Sequence, residues 1–143
     1  MQTTIHLAKE DREIEDCYPV MAELRGHLTR DEFVRRVKHQ ATSGYLLAYL
    51  RDGEIRAVAG FRFLECLAWE RILYVDDLVS ASGDRSKGYG SALFDWLVDY
   101  AREHGCTQLH LDSRVTRFDA HRFYLRKRMI IECHHFSLDL ASS

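Results

Sequence analysis

A glycine-rich, weakly basic loop at residues 80–91 most constrains the fold, because it lies between a predicted strand and the clearest amphipathic helix. The apolar residues of that helix share one face: Ala92, Leu93, Trp96, Leu97, Tyr100 and Ala101. Glycines let the backbone approach a ligand closely, and the amides at a helix N-terminus carry partial positive charge. The arrangement is typical of a loop that binds phosphate.

The N-terminal part of the chain predicts a strand followed by two helices. Apolar and polar residues alternate over residues 3–8, as in a half-buried strand, and apolar residues recur at helical spacing over residues 12–24. We expect Pro19 to kink or split this helix, because proline lacks an amide hydrogen. The capping-box sequence Thr29-Arg30-Asp31-Glu32 predicts the start of a second helix that runs to about Gln40.

The middle of the chain predicts three strands joined as an antiparallel meander. Residues 45–51 and 55–66 flank the turn Asp52-Gly53-Glu54, whose Asp-Gly pair suits the positive φ angles of a tight hairpin. Residues 71–79 are rich in β-branched and aromatic side chains and predict the third of these strands. This strand leads into the glycine-rich loop.

After the loop and its helix, the pattern predicts a strand at residues 108–112, a helix at 117–127 and one or two closing strands at 129–140. Two strands joined through a helix form a crossover unit with parallel strands. The predicted fold is therefore a single α/β domain spanning residues 1–143. Its mixed central sheet has about six to seven strands, with helices on both faces.

Composition limits the classes of partner. The 143 residues include 20 Lys plus Arg and 22 Asp plus Glu, so the formal charge of −2 argues against nucleic acid or an anionic membrane. No apolar run approaches the roughly 20 residues of a membrane-spanning helix. Residues 1–10 lack the features of a signal peptide, so we expect a cytoplasmic location.

Cysteine and histidine spacing predicts no metal site. Cys17, Cys66, Cys106 and Cys133 are far apart, and we expect reduced thiols that are mostly buried. The pair His134-His135 has no third ligand at a recognisable spacing.

Three phosphate-binding motifs compete for the glycine-rich loop. A P-loop beginning at Gly83 would place Tyr89 where that motif needs lysine, and a dinucleotide fingerprint would place Leu93 at its third glycine. The third pattern, Arg/Gln-x-x-Gly-x-Gly/Ala, is satisfied by Arg85-Ser86-Lys87-Gly88-Tyr89-Gly90. Spacing therefore favours the third motif.

With Asp77-Leu78-Val79 before it and Ala120-His121-Arg122-Phe123-Tyr124 after it, this motif resembles the GNAT superfamily of acyl-CoA N-acyltransferases over nearly the whole chain. The resemblance implies that main-chain amides of the loop hold the pyrophosphate of acetyl-CoA and that the preceding strand lines its pantetheine arm. His121 lies one helical turn before Tyr124, and we expect it to contact the cofactor or the substrate. The expected cofactor-binding residues are Leu78, Val79, Ser80, Arg85, Ser86, Lys87, Gly88, Tyr89, Gly90, Ser91 and His121.

The resemblance also implies transfer of an acetyl group to a primary amine by direct attack in a ternary complex. Tyr124 is the implied general acid, since a phenol stays protonated at neutral pH and can protonate a departing thiolate. Asp77 and Asp112 are equal candidates for the base. Because Asp76 and Asp77 are consecutive on the predicted strand, one of them should face the cleft and the other should point away.

Two other functions are compatible with the loop: a non-catalytic acyl-CoA-binding or sensor module, and a nucleotide-dependent oxidoreductase. The acceptor is equally open among a small molecule, a peptide N-terminus and lysine. Residues 1–32 carry 8 acidic and 4 basic side chains, which mildly favours a cationic amine. Assembly as a homodimer is a further open alternative.

Overall fold

The computed structural model describes residues 2–141, which divide after Leu111 into two compact units. The first unit contains a five-stranded sheet in the order β1-β2-β3-β4-β5. Its strands are β1 (Thr4–Leu7), β2 (Leu46–Asp52), β3 (Glu54–Cys66), β4 (Glu70–Ser80) and β5 (Gln108–Leu111). Its helices are α1 (Asp11–Met21), α2 (Arg30–Ala41), a 3-10 helix (Ser82–Lys87) and α3 (Tyr89–Glu103), and the second unit contains α4 (Phe118–Arg126).

The sheet is mixed, as predicted. The pairs β1–β2, β2–β3 and β3–β4 are antiparallel, whereas β4 and β5 are parallel and connected through α3. The prediction of six to seven strands is wrong, because residues 129–141 form no strand in the part of the chain that the structure describes. Apolar alternation in this segment suits a strand, but a strand also needs a neighbour for its backbone hydrogen bonds.

Helices cover both faces of the sheet and bury two separate cores, which confirms the predicted layering. On one face, α1 and α2 contribute Ile14, Cys17, Val20, Met21, Phe33 and Val37. On the other face, α3 contributes Leu93, Leu97 and Ala101 against Leu50, Phe61 and Leu73 of the sheet. Successive residues of a strand point to opposite faces, so neighbours on one strand enter different cores.

A proline within α1 and a capping threonine before α2 affect the two N-terminal helices in different ways. The helix α1 continues through Pro19 and ends two residues later at Met21, so the expected split does not occur. Arg30 Nη1 donates a hydrogen bond of 3.0 Å to the carbonyl oxygen of Glu15, the group that the missing amide of Pro19 leaves without its helical partner. At the start of α2, Oγ1 of Thr29 accepts a hydrogen bond from the Glu32 amide, as the capping sequence predicts.

All four cysteines are free thiols. The expectation that they are mostly buried is correct for Cys17, which packs in the core beneath α1, and wrong for Cys133, which is exposed. Cys66 and Cys106 are half-buried. Burial raises the pKa of Cys17 to about 12, so this thiol is protonated and unreactive at neutral pH.

Candidate active site

The loop between β4 and α3 presents backbone amides at the start of a long helix. Gly88 is the N-cap residue of α3 and has a φ of 82°, a left-handed conformation that glycine adopts without steric cost. The amides of Tyr89, Gly90 and Ser91 lie in the first turn, where a helix supplies no acceptor for them. The first turn contains no acidic side chain. This donor set fits the diphosphate of coenzyme A.

Acidic residues anchor this loop to the sheet and to the end of α1. Asp84 is buried and lies 3.3 Å from Nη1 of Arg56, while the Tyr89 hydroxyl donates a 2.6 Å hydrogen bond to Oδ2 of Asp52. Glu23 accepts a hydrogen bond of 3.0 Å from the amide of Ser82. Sequence reasoning missed Asp84, although an acid within a basic loop is the signal that could have identified it.

The two basic side chains of the motif contact these anchors. Lys87 Nζ lies 3.5 Å from Asp84, and Nη2 of Arg85 lies 3.4 Å from Glu23. Both cations are more than half exposed. Their side chains therefore border the loop while the backbone amides supply its interior donors.

One edge of β4 is open over its last five residues. Pairing with β5 ends at Val75 and Leu111, whereas pairing with β3 continues to Ser80, which lies opposite Ala57. Within residues 2–111, no strand pairs with the other edge of Asp76–Ser80. Leu78, Val79 and Ser80, the residues predicted to line a pantetheine arm, therefore lie where an extended ligand can approach the strand edge.

A β-bulge changes the direction of the carboxylates on β4. Gly60 lies opposite Asp77 and Phe61 opposite Val75, so Asp76 is the extra residue. Both Asp76 and Asp77 consequently face the side of the sheet covered by α1 and α2, and both line the same cavity. The expectation that one would point away is wrong, because the bulge breaks the alternation on which it depended.

Each of these two carboxylates is held by an arginine. Arg62 binds Asp76 through two hydrogen bonds of 3.0 and 2.8 Å. Arg25 Nε donates to Oδ1 of Asp77 over 2.8 Å, and the Tyr45 hydroxyl donates to Oδ2 over 2.8 Å. Burial raises the pKa of Asp76 against the opposing effect of Arg62. Burial, and next the charge of Asp77, holds the pKa of Tyr45 well above its ordinary value.

The cavity has a volume of about 400 Å³ and lies between α2, the end of α1 and β4. Its wall includes apolar side chains from α1 and α2, together with Tyr45 and Tyr74. Its charged and polar lining consists of Arg25, His27, Arg36, Gln40, Asp76 and Asp77. None of the eight acidic side chains in residues 1–32 lines it, so the acidic excess of that segment does not reach the cavity.

The remaining predicted site residues belong to the second unit. Tyr124 lies on α4 and is half-buried, and burial raises its pKa against the weaker opposing charge of Arg117. Nε2 of His121 lies 2.7 Å from the carbonyl oxygen of Arg114, so its ring is held by the preceding loop. Asp112 is 51% exposed, and its Oδ2 lies 3.4 Å from Nδ1 of His135.

Residues 2–141 offer neither a membrane-spanning helix nor a metal cluster. No helix in this part of the chain is both long and apolar enough to span a bilayer. The same residues contain no group of three His, Cys, Asp or Glu side chains arranged to hold a metal ion.

Comparison with known proteins identifies the family. The sequence profile of the acetyltransferase (GNAT) family matches residues 7–128. This chain belongs to the GNAT family. The matched region includes the glycine-rich loop, the helix α4, and Asp76 and Asp77 of β4. All the predicted catalytic residues therefore lie within the GNAT domain.

Two curated relatives resemble this GNAT protein in sequence. An uncharacterized N-acetyltransferase from Bacillus subtilis, YhdJ, is 37% identical over 114 residues, covering 78% of this chain and 80% of the relative. A streptothricin acetyltransferase from Streptomyces lavendulae is 35% identical over 89 residues, covering 62% of this chain. The match spans only 44% of the Streptomyces protein. Both relatives support acyl transfer as the general activity.

Solved structures share the GNAT fold. A structure described as a transcriptional regulator from Bacillus halodurans C-125 superposes with a TM-score of 0.85 at 22% identity, covering 97% of this chain and 100% of that one. At this identity the likeness shows the fold alone. The predicted α/β GNAT architecture is therefore confirmed, with five strands within the described residues.

Proposed function

We propose that this GNAT protein transfers an acetyl group from acetyl-CoA to the primary amine of a small-molecule or peptide acceptor, by direct attack in a ternary complex. The main support for the proposal is the order of three features along β4 and the loop that follows it. Asp76 and Asp77 face a cavity, the next three residues follow an open strand edge, and the strand then leads to the amide-rich start of α3. One continuous segment thus offers sites for an acceptor and for a donor.

The donor would be held mainly by backbone groups. First-turn amides of α3, with the conformation of Gly88, suit a diphosphate, and Leu78–Ser80 can pair with the extended pantetheine arm along the open edge. Lys87 and Arg85 border the diphosphate site. Acetyl-CoA supplies the activated acyl group. Since acyl-CoA donors are intracellular metabolites, we place the reaction in the cytoplasm.

The attacking amine must lose a proton to become nucleophilic. Asp77 is a candidate to accept this proton; in support, it lines the cavity, and Arg25 and Tyr45 each donate one hydrogen bond to its two oxygens. A carboxylate has about four lone-pair sites, so it retains capacity for the amine or for an intervening water. Asp112 is the second candidate base.

The departing thiolate needs a proton, for which Tyr124 is the candidate donor. Burial raises the pKa of its hydroxyl above the ordinary value, so the phenol remains protonated throughout the neutral range. A thiolate whose thiol has a pKa of about 8.5 can take a proton from such an acid as the carbon–sulfur bond breaks.

Release of free thiol from acetyl-CoA over a panel of primary amines tests the proposal. We expect saturable thiol release in the presence of an acceptor and mass evidence of an N-acetylated product. Saturable binding of acetyl-CoA with no turnover on any amine would instead indicate a non-catalytic acyl-CoA sensor. Protection against thermal unfolding by NAD but not by CoA would indicate a nucleotide-dependent oxidoreductase and contradict the proposal.

A further inference from the structure

We propose that the acceptor carries an anionic group in addition to its amine, and that Arg36 of α2 binds this anion; the inference rests on the proposed acetyl transfer and narrows its substrate class. The acceptor is then a small amine bearing a compact anion such as a carboxylate. Arg36 would select the substrate without touching the reacting atoms.

Among the residues that the structure describes, one cationic side chain that lines the cavity has no acidic partner. Two carboxylates, Asp76 and Asp77, are bound by Arg62 and Arg25, respectively. Arg36 also lines the cavity, and within residues 2–141 it makes no hydrogen bond or ion pair. Arg25 and Arg62 are thus each paired with a carboxylate, whereas Arg36 has no acidic partner in the described part of the chain. An acceptor without an anion would leave the charge of Arg36 uncompensated, whereas an anionic substituent would pair with it.

The position of Arg36 on α2 separates the anion from the amine. Gln40, one helical turn after Arg36 on the same face, lines the cavity and accepts a hydrogen bond of 3.1 Å from Arg62. Gln40 therefore marks the end of the cavity that contains the carboxylate of Asp76, which adjoins the candidate base Asp77 on β4. Four residues along a helix correspond to about 6 Å, so the amine and the anion should be several bonds apart.

A further observation favours anion binding by Arg36 over contact with solvent alone. His27 lines the same cavity and adds a ring nitrogen as a second polar contact for an anion. Arg35, the neighbour of Arg36 on α2, is also exposed but does not line this cavity. Arg35 lies instead in a separate shallow groove with Glu15 and Asp31, which makes it the matched control.

The test compares two acceptors of equal length, 4-aminobutanoate and its neutral amide, by thiol release from acetyl-CoA. Hydrogen bonds between charged groups are about twice as strong as those between neutral groups, so we expect wild-type kcat/KM to favour the acid by about tenfold or more. In Arg36→Gln the preference should vanish, mainly through KM, and in Arg35→Gln it should persist. Arg36→Glu should shift the preference to 1,4-diaminobutane.

Equal use of the acid and the amide by the wild-type protein, or equal loss of both in Arg36→Gln, would overturn the inference while leaving acetyl transfer intact. If no amine is acetylated, the proposed function fails instead. Calorimetric titration of 4-aminobutanoate and its amide into the CoA-saturated protein then decides this inference separately. Tighter binding of the acid that depends on Arg36 would support it, and equal binding would refute it.

Discussion

The Tyr45 hydroxyl donates a hydrogen bond of 2.8 Å to Oδ2 of Asp77, directly over the Cα atom of Gly60. Gly60 lies on β3 between the two, and a Cβ atom there would collide with the Tyr45 ring and lie 2.7 Å from Asp77 Oδ2. The absence of a side chain at position 60 thus permits the contact that positions a candidate base.

Gly60→Ala should therefore damage both stability and the site. Overpacking of this kind costs typically 1–3 kcal/mol of unfolding free energy, which urea denaturation measures. Gly83→Ala is the control, since a Cβ at position 83 has no neighbour within 4 Å, and its stability should stay within about 0.5 kcal/mol of wild type. Similar stability of both variants would show that Tyr45 and Asp77 do not pack against Gly60 as described.

Removing the Tyr124 hydroxyl should slow the chemical step and spare donor binding. General acids contribute about 10²–10⁴-fold, so Tyr124→Phe should lower kcat by at least about a hundredfold. Because burial raises the pKa of Tyr124, its hydroxyl should stay protonated, and wild-type kcat should show no loss from its ionisation across the neutral range.

The control for Tyr124→Phe is Tyr18→Phe, which removes a hydroxyl that donates to the Leu28 carbonyl oxygen. The kcat of Tyr18→Phe should stay close to that of the wild-type protein. An unchanged kcat in Tyr124→Phe, or a loss caused entirely by weaker acetyl-CoA binding, would exclude Tyr124 as the acid.

Asp77→Asn and Asp112→Asn separate the two candidate bases. Asparagine keeps the size of the side chain but cannot take the proton. We expect Asp77→Asn to lower kcat/KM by about a hundredfold or more. Asp112→Asn should have a small effect, because Asp112 is 51% exposed. A larger loss of kcat/KM in Asp112→Asn than in Asp77→Asn would identify Asp112 as the base.

Exposed apolar side chains near the end of the second unit indicate that two copies of this chain associate. Ile130 and Phe136 are 78% and 91% exposed, and apolar side chains alternate at residues 136, 138 and 140 without forming a strand. A second copy offers the same segment, and two identical segments can pair antiparallel about a two-fold axis. We expect a homodimer in sedimentation analysis, weakened in the double variant Phe136→Ser, Leu138→Ser. A monomer across the micromolar range would contradict this prediction.

Local signals allowed much of the fold to be predicted from the sequence. The Asp52-Gly53-Glu54 turn and the Thr29 cap depend on neighbouring residues, and both form as expected. The common orientation of Asp76 and Asp77 could not be predicted, because the bulge depends on the register of β4 against Gly60 and Phe61 of β3, which no local sequence signal specifies. The buried anchor at Asp84 likewise depends on Arg56, 28 residues away.

Calorimetric titration of the wild-type protein with CoA, and separately with NAD, tests most directly that the start of α3 binds the diphosphate of an acyl carrier. We expect saturable heat from CoA at one site per chain and none from NAD. Absence of heat from CoA, or equal binding of both, would contradict it.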